Sequence, residues 1–219
     1  MENDFKKNKY KIIKNLISPQ LASFLFTYLF MKRNVQITMV KEGLIAPFSN
    51  YFGSFKDPQV MNTYSHYADV AMETLLFLIK PKLEKIMGTS LIETYSYCRM
   101  YKNGDILKRH KDRPSCQLSA TVNLGGDPWP IFVEPDETKG GDTNKGYVSA
   151  NTSGVRVDLE PGDAFLYEGC KLEHWREPFE GEACGQVFLH YNSDNNQHNL
   201  YDGRPHLGLP SELKKNVIS

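Results

Sequence analysis

The sequence predicts an α+β protein that is mainly β: a sandwich or barrel of short strands preceded by two long helices. Three observations lead there. Helical periodicity dominates the first ninety residues. After Gly88 the texture changes to short alternating or β-branched runs, and Gly, Pro, Asn and Asp separate those runs at regular intervals. A chain of 219 residues can bury one substantial core with accessory helices, which leaves little room for two large independent domains.

Met1 to Lys14 is charged and lacks the apolar core of a secretory signal, so Lys6, Lys7, Lys9, Lys11 and Lys14 are expected on a solvated N-terminal tail. Ser18-Pro19 is a helix start: a hydroxyl to accept an orphan amide hydrogen, then a residue with helical φ and no amide to satisfy. The helix is predicted over Pro19 to Arg33. Leu21, Phe24, Leu25, Tyr28, Leu29 and Met31 make it apolar almost all round, which predicts burial between a sheet and other helices. Between Lys41 and Asp57 a loop or short hairpin is expected. A second helix is predicted from Gln59 to Ile79, on the spacing of Val60, Tyr64, Tyr67, Val70, Ala71, Thr74, Leu75 and Leu78. Pro81 should kink or end it, with Gly88 closing the continuation through Leu83 and Ile86.

Strands are predicted at Ile92 to Tyr101, Gln117 to Leu124, Pro130 to Val133, Val155 to Leu159, Ala164 to Tyr167, Leu172 to Arg176 and Gln186 to Tyr191. Glu134 to Gly154, polar and rich in Gly, Thr and Asn, reads as a long loop near the barrel mouth. The chain from Ser193 reads as a polar tail or flap. Residues 1–90 are thus a helical support region of the same domain, 91–195 the β core, and 196–219 the tail or flap.

Lys+Arg and Asp+Glu balance at 26 each, and no basic block tracks a phosphate backbone, so nucleic acid is a weak candidate partner. Leu21 to Met31 is about half the length needed to span a bilayer, so no membrane crossing is expected. Cys98, Cys116, Cys170 and Cys184 form no Cys-x-x-Cys pair. That argues against a zinc ribbon or thioredoxin-like site and fits free thiols in a reducing cytoplasm.

The chemistry is carried by His110-Lys111-Asp112 and, far along the chain, Glu173-His174-Trp175. Two imidazoles and one carboxylate are the ligand set of a non-haem Fe(II) oxygenase, covering one face of an octahedral ion and leaving the other for a co-substrate and O₂. In an antiparallel barrel a close His/Asp pair sits at the end of one strand, and the third ligand arrives from a distant strand that closes the same mouth.

Further residues stand in a consistent order around these three. Upstream are Ile17-Ser18-Pro19-Gln20, Tyr101, Gly104 and Leu107. Downstream are Ser119-Ala120-Thr121-Val122-Asn123-Leu124, Leu159-Glu160-Pro161-Gly162-Asp163-Ala164-Phe165-Leu166-Tyr167 and Pro178. Across roughly residues 15 to 192 the chain resembles the 2-oxoglutarate/Fe(II) dioxygenases of the prolyl-4-hydroxylase-like group. The resemblance implies a double-stranded β-helix of the jelly-roll or cupin kind, with N-terminal helices packed on its larger sheet. It implies Fe(II), 2-oxoglutarate and O₂ as reactants, with succinate and CO₂ released as a substrate C–H bond is hydroxylated, and ascorbate dependence. It assigns His110, Asp112 and His174 to the metal, and the presence of Asp112 argues against a halogenase. Tyr101 matches a tyrosine that hydrogen-bonds the co-substrate, and Thr121 and Asn123 share a strand face that could line the same pocket.

One departure from that pattern matters. Relatives carry Arg or Lys nine or ten residues past the distal histidine to clamp the far carboxylate of 2-oxoglutarate, whereas this chain has Ala183 and Cys184 there. A dicarboxylate in a dry pocket needs a cationic partner. Arg176, two residues past His174 and so on the same strand face, is the preferred substitute, and Arg99 is the second choice. Gln186 and His190 fall on the inward face if Cys184 does, where they would add neutral hydrogen bonds. Trp175 should turn outward against a helix, and Trp129 should sit at the rim. His66, His198 and His206 are expected as solvated or capping groups.

The activity this implies is hydroxylation of a prolyl or other side chain in a peptide or protein, or of a free amino acid or small metabolite. A non-catalytic metal-binding jelly roll is the reading from another class. The oligomeric state has no signature in the sequence.

Overall fold

The computed structural model describes residues 4–193 and 197–214. In chain order the helices are α1 (Asp4–Asn8), α2 (Pro19–Lys41) and α3 (Val70–Met87). The strands are β1 (Tyr10–Ile13), β2 (Tyr64–Tyr67), β3 (Leu91–Lys102), β4 (Leu107–His110), β5 (Leu118–Gly126) and β6 (Ile131–Val133), then β7 (Gly141–Thr143), β8 (Gly146–Val148), β9 (Val155–Val157), β10 (Ala164–Tyr167), β11 (His174–Arg176) and β12 (Ala183–Ser193). A six-stranded sheet runs β1-β10-β5-β12-β3-β2 and a four-stranded sheet runs β4-β11-β6-β9, with every named pair antiparallel. This is the jelly-roll, a double-stranded β-helix.

Strand alternation divides the large sheet into two faces. Cys98, Met100, Ala120, Val122, Leu166, Val187 and Leu189 pack outward against Ala22, Leu25 and Leu29 of α2 and Met72, Leu75, Leu76, Ile79 and Leu83 of α3. Tyr95, Tyr97, Arg99 and Tyr101 of β3 lie on the opposite, inner face. In register with them are His190, Phe188, Gln186 and Cys184 of β12, and then Ser119, Thr121 and Asn123 of β5.

The strands predicted from alternation are present, with β12 extending beyond its predicted ends. Several expectations need correction. The first helix continues to Lys41 and buries only one side: Phe24 and Met31 are 64% and 61% exposed, so it lies on the sheet rather than between layers. Its start is as predicted, with Ser18 Oγ accepting the Leu21 amide at 3.2 Å. Ser18→Ala is expected to cost about 1 kcal/mol of stability, read by chemical denaturation.

The helix predicted from Gln59 begins only at Val70, capped by Asp69, whose carboxylate accepts the amides of Ala71 and Met72. Tyr64 to Tyr67 is instead β2, paired with Tyr97 to Met100. Pro81, expected to kink or end the helix, does not end it; the helix runs through it to the left-handed cap at Gly88. The hydrogen bond that Pro81 forfeits lies on the solvent side, beside exposed Phe77 and Leu78.

The lysine-rich N-terminus is not a free tail. Tyr10–Ile13 forms the edge strand beside β10, where lysines discourage further strand pairing. The turn Pro161-Gly162-Asp163 pins the chain that follows. Asp163 accepts the Asn15 amide (2.9 Å) and the Lys14 ammonium (2.6 Å), and the Ile17 carbonyl approaches Gly162 so closely that a Cβ there would sit 2.6 Å from it. Gly162 has φ +94°, which favours glycine on its own account.

The segment from Gln197 is no loose flap either. Buried Arg204 pairs with buried Glu73 at 2.7 Å and donates to the carbonyls of Thr94 and Leu209, while Asp202 accepts from Tyr67, Arg113 and Lys214. His66, expected as a solvated or capping group, is buried with Nδ1 3.3 Å from the helix-capping Asp69, while His206 is exposed. The side chain of His198 lies outside the described ones. All four cysteines are free, and no helix among the described residues is long and apolar enough to cross a membrane.

Candidate metal centre

Strand pairing brings the three predicted ligands together. β11 pairs with β4 so that His174 stands opposite His110, and Asp112 follows β4 with its amide donating to the Gly169 carbonyl at 2.9 Å. The ligand atoms of His110, Asp112 and His174 all lie within 4.8 Å of one another, and Asp112 Oδ1 is 3.5 Å from Nε2 of each histidine. The backbone orients both imidazoles. His110 Nδ1 is 2.8 Å from the Lys108 carbonyl and His174 Nδ1 is 3.0 Å from the Leu172 carbonyl, contacts in which only the ring nitrogen can donate. Each Nε2 is thereby turned toward the shared centre, the orientation of metal-ligating histidines.

Asp112 is fixed from behind. Its Oδ2 accepts from Ser119 Oγ at 2.8 Å, and Ser119 Oγ lies 2.9 Å from His190 Nδ1. Burial alone would raise the Asp112 carboxyl pKa, but the facing His174 and His110 hold it well below the usual carboxylate range, so an anionic ligand is ready. Burial pushes His190 down to about 4, which keeps it neutral at ordinary pH.

The triad lines a cavity of about 400 Å³ with Tyr95, Tyr97, Arg99, Tyr167 and Phe188 from the strands and Asp57 and Gln59 from the loop before β2. Asp57 and Gln59 carry no spacing signal, and neither was predicted. Gln59 Nε2 is 3.0 Å from His110 Nε2, and Gln59 Oε1 accepts from Arg99 at 3.1 Å, so one carboxamide spans from the metal-facing nitrogen to the guanidinium. Asp57 accepts from both Arg99 and Tyr97. Burial would raise the Asp57 pKa, yet the Arg99 charge and the Tyr97 hydroxyl bring it below its ordinary value.

Arg176 is not among the residues that line this cavity; it lies on the same strand face as His174 and is 1% exposed. One Nη donates to the Trp129 carbonyl, and the guanidinium stacks 5.0 Å from the Trp129 ring centroid. Its Nε and other Nη are buried without a hydrogen-bond partner, as is Gln186 Oε1. Burial pulls the Arg176 pKa below the ordinary value, and the titratable groups that feel its charge are Cys184, Tyr101 and Tyr167. The guanidinium thus stands beside Cys184, one of the two positions where a basic residue was expected and is missing.

The remaining predicted residues are dispersed around this depth. Tyr101 is buried against Trp129 and Phe179 and accepts from Arg99 at 3.1 Å. Thr121 Oγ1 is 3.3 Å from the Tyr167 hydroxyl, whose ring packs 4.7 Å from that of His174. Asn123 is turned to the Leu159 carbonyl and Gln186, tying down the turn before β10 rather than facing the triad. His190 stands on the Asp112 side, away from Arg176. Trp129, expected at the rim, belongs to the buried cluster and donates to the Glu177 carbonyl. Trp175 faces away from the metal centre as predicted, but it packs against Phe132, Arg109 and Gly154 instead of a helix.

The loop predicted from Glu134 to Gly154 contains the β7–β8 hairpin. It is anchored beside the triad: buried Glu173 accepts from the Tyr147 hydroxyl, the Ala150 amide and Arg109.

No family model and no curated protein matches this sequence. Solved structures do. A prolyl-4-hydroxylase from Pseudomonas putida is 14% identical, with TM-score 0.56 over 87% of this chain and 96% of its own. A viral collagen prolyl hydroxylase from Paramecium Bursaria Chlorella virus-1, solved as a 2OG complex, is 12% identical, with TM-score 0.54 over 86% and 98%. HygX from Streptomyces hygroscopicus, solved with nickel, 2-oxoglutarate and hygromycin B bound, is 12% identical, with TM-score 0.61 over 97% and 92%. At these identities the likeness is one of fold.

Proposed function

We propose that the protein is an Fe(II)- and 2-oxoglutarate-dependent oxygenase that hydroxylates a C–H bond. The observation that carries this reading is a facial His110/Asp112/His174 set with an unpaired buried cation, Arg176, on the same strand face as His174. The donor set of two imidazoles and a carboxylate suits ferrous iron. The orphaned Arg176 nitrogens fit a dicarboxylate, because a buried cation that has no counter-ion and lacks partners at Nε and one Nη is strongly disfavoured unless something completes it.

Bound iron would supply O₂ activation, coupled to oxidative decarboxylation of 2-oxoglutarate to succinate and CO₂. The chain's own residues do the rest. His110, Asp112 and His174 hold one face of the ion, and Ser119 keeps the Asp112 carboxylate turned toward both Nε2 atoms. Arg176 receives the far carboxylate of the co-substrate, with Gln186 and Tyr101 as neutral neighbours. Tyr167 and Phe188 exclude water on the inner side, and Asp57 and Gln59 cover the mouth. Ascorbate as supporting reductant and a cytoplasmic setting belong to the same reading.

A small polar molecule suits the site as substrate, because the cavity has a volume of about 400 Å³ and Asp57, Gln59 and Arg99 line it. A prolyl side chain in a peptide is the second reading, supported by two prolyl hydroxylases whose whole length this fold nearly covers. The test is succinate release from 2-oxoglutarate. Formation that needs Fe(II) and falls to background in Asp112→Ala is expected, whereas its absence in the wild type would leave the metal-binding jelly roll as the better description. Gain of one oxygen, sought by mass spectrometry in metabolite and peptide mixtures, separates the two substrate readings.

A further inference from the structure

We propose that Cys116, His190 and Asp112 form a second metal site, selective for a thiophilic divalent cation such as Zn²⁺, which shares its carboxylate with the triad. One ligand atom from each of the three lies within 4.8 Å of the other two, and all three residues line the cavity. The turn Pro114–Cys116 brings the thiol back beside Asp112, and His190 arrives from β12 directly opposite Ser119 of β5.

Hydrogen-bond logic fixes the state of His190. Ser119 has one hydroxyl hydrogen, and the Asp112 carboxylate can only accept it, at 2.8 Å. In the 2.9 Å contact between Ser119 Oγ and His190 Nδ1 the imidazole must therefore donate. In the neutral ring Nδ1 then carries the proton and Nε2 keeps its lone pair, with Nδ1 held by a neighbouring oxygen as it is in His110 and His174.

The sulfur sits among polar neighbours. The Tyr95 hydroxyl lies 3.0 Å from Cys116 Sγ, a contact in which either group can donate, and Arg113 Nε donates to that hydroxyl oxygen at 3.3 Å. Burial and the Asp112 charge push the Cys116 thiol well above its ordinary range, so the metal itself must displace the proton. The positive charge of Arg113 is itself paired with Asp202 at 2.7 Å.

A sulfur, nitrogen and oxygen set suits tetrahedral zinc with one position open, and thiolate favours Zn²⁺ over ferrous iron, which the sulfur-free triad suits better. On binding, the Cys116 proton leaves to solvent as the S–metal bond forms. Because Asp112 belongs to both sets, zinc at this site draws the carboxylate from the triad and weakens binding there. The site stands independently of the oxygenase reading, since it needs no co-substrate.

Cobalt(II) added anaerobically to the metal-free full-length protein reads the site directly, because only a thiolate ligand gives a near-ultraviolet sulfur-to-cobalt charge-transfer band. The band is expected in the wild type, in His110→Ala and in Cys170→Ala. It should be lost in Cys116→Ala, and in His190→Phe it should need at least about ten times more cobalt. No band in the wild type, a band surviving Cys116→Ala, or an unchanged cobalt requirement in His190→Phe would overturn the proposal. X-ray absorption of unmodified protein carrying two equivalents of zinc gives a check that needs no variant. Sulfur at about 2.3 Å is expected, averaging about half a sulfur per zinc when both sites fill, and a shell without sulfur would overturn the proposal.

Discussion

Arg176→Met is expected to raise the apparent KM for 2-oxoglutarate by roughly 30- to 3,000-fold while leaving Fe(II) affinity unchanged. The size follows from the typical 2–5 kcal/mol lost when one partner of a buried, hydrogen-bonded charge pair is truncated, at about 1.4 kcal/mol per decade. The usual difficulty with removing a buried arginine is that it leaves a charge behind. Here no carboxylate is left behind: Arg176 donates to the Trp129 carbonyl, and two of its nitrogens have no hydrogen-bond partner. Methionine also suits the apolar surroundings of Trp129, Phe179 and Cys184. Without 2-oxoglutarate the variant should therefore match or exceed the wild type in thermal stability, because a desolvated cation has been removed. Loss of co-substrate binding with retained stability is the signature of a socket rather than a strut. Arg99→Met serves as the contrast. Arg99 already has Asp57 as counter-ion and Tyr101 as acceptor, so its removal strands an acid at the cavity mouth. If Arg176→Met saturated with 2-oxoglutarate at the wild-type concentration and Arg99→Met did not, the clamp would belong to Arg99.

Gly169→Ala is expected to lower metal affinity by about 10- to 100-fold with the fold intact. A methyl group at residue 169 would overlap the Asp112 carboxylate and lie 2.8 Å from Ser119 Oγ. The Gly169 backbone cannot retreat easily, since its carbonyl accepts the Asp112 amide at 2.9 Å. Asp112 must rotate, and its Oδ1 then loses the position 3.5 Å from both Nε2 atoms. Titration of the metal-free protein with Ni²⁺, alongside circular dichroism, checks both halves. Wild-type affinity in this variant would mean that Asp112 can turn without cost and that its orientation by Ser119 is unimportant.

How much of this was legible in the sequence depended on whether the signal was local. The strands of the β core alternate because one face meets helices and the other lines the barrel, so their periodicity could be read directly. β2 could not: both of its faces are covered, and Val60, Tyr64 and Tyr67 happen to fall at helical spacing. What makes it a strand is β3, distant in sequence. β1 was hidden by its lysines, which mark an edge strand as readily as a solvated tail. Arg204 shows its role only once Glu73 of α3 is placed beside it. In the candidate site, the triad and the inward face of Arg176 follow from spacing along single strands. The Ser119–His190 pair needs the β5–β12 register, and the Asp57–Arg99 and Gln59–His110 contacts need a loop whose path no periodicity encodes.

His110, Asp112 and His174 converge to hold a ferrous ion that a 2-oxo acid can chelate, on the reading proposed above. Anaerobic addition of Fe(II) and then 2-oxoglutarate to the purified protein tests it most directly, by the weak visible charge-transfer band of the chelate. The band is expected in the wild type and absent in His174→Ala. A wild-type protein without the band, or a band undiminished in His174→Ala, would contradict it.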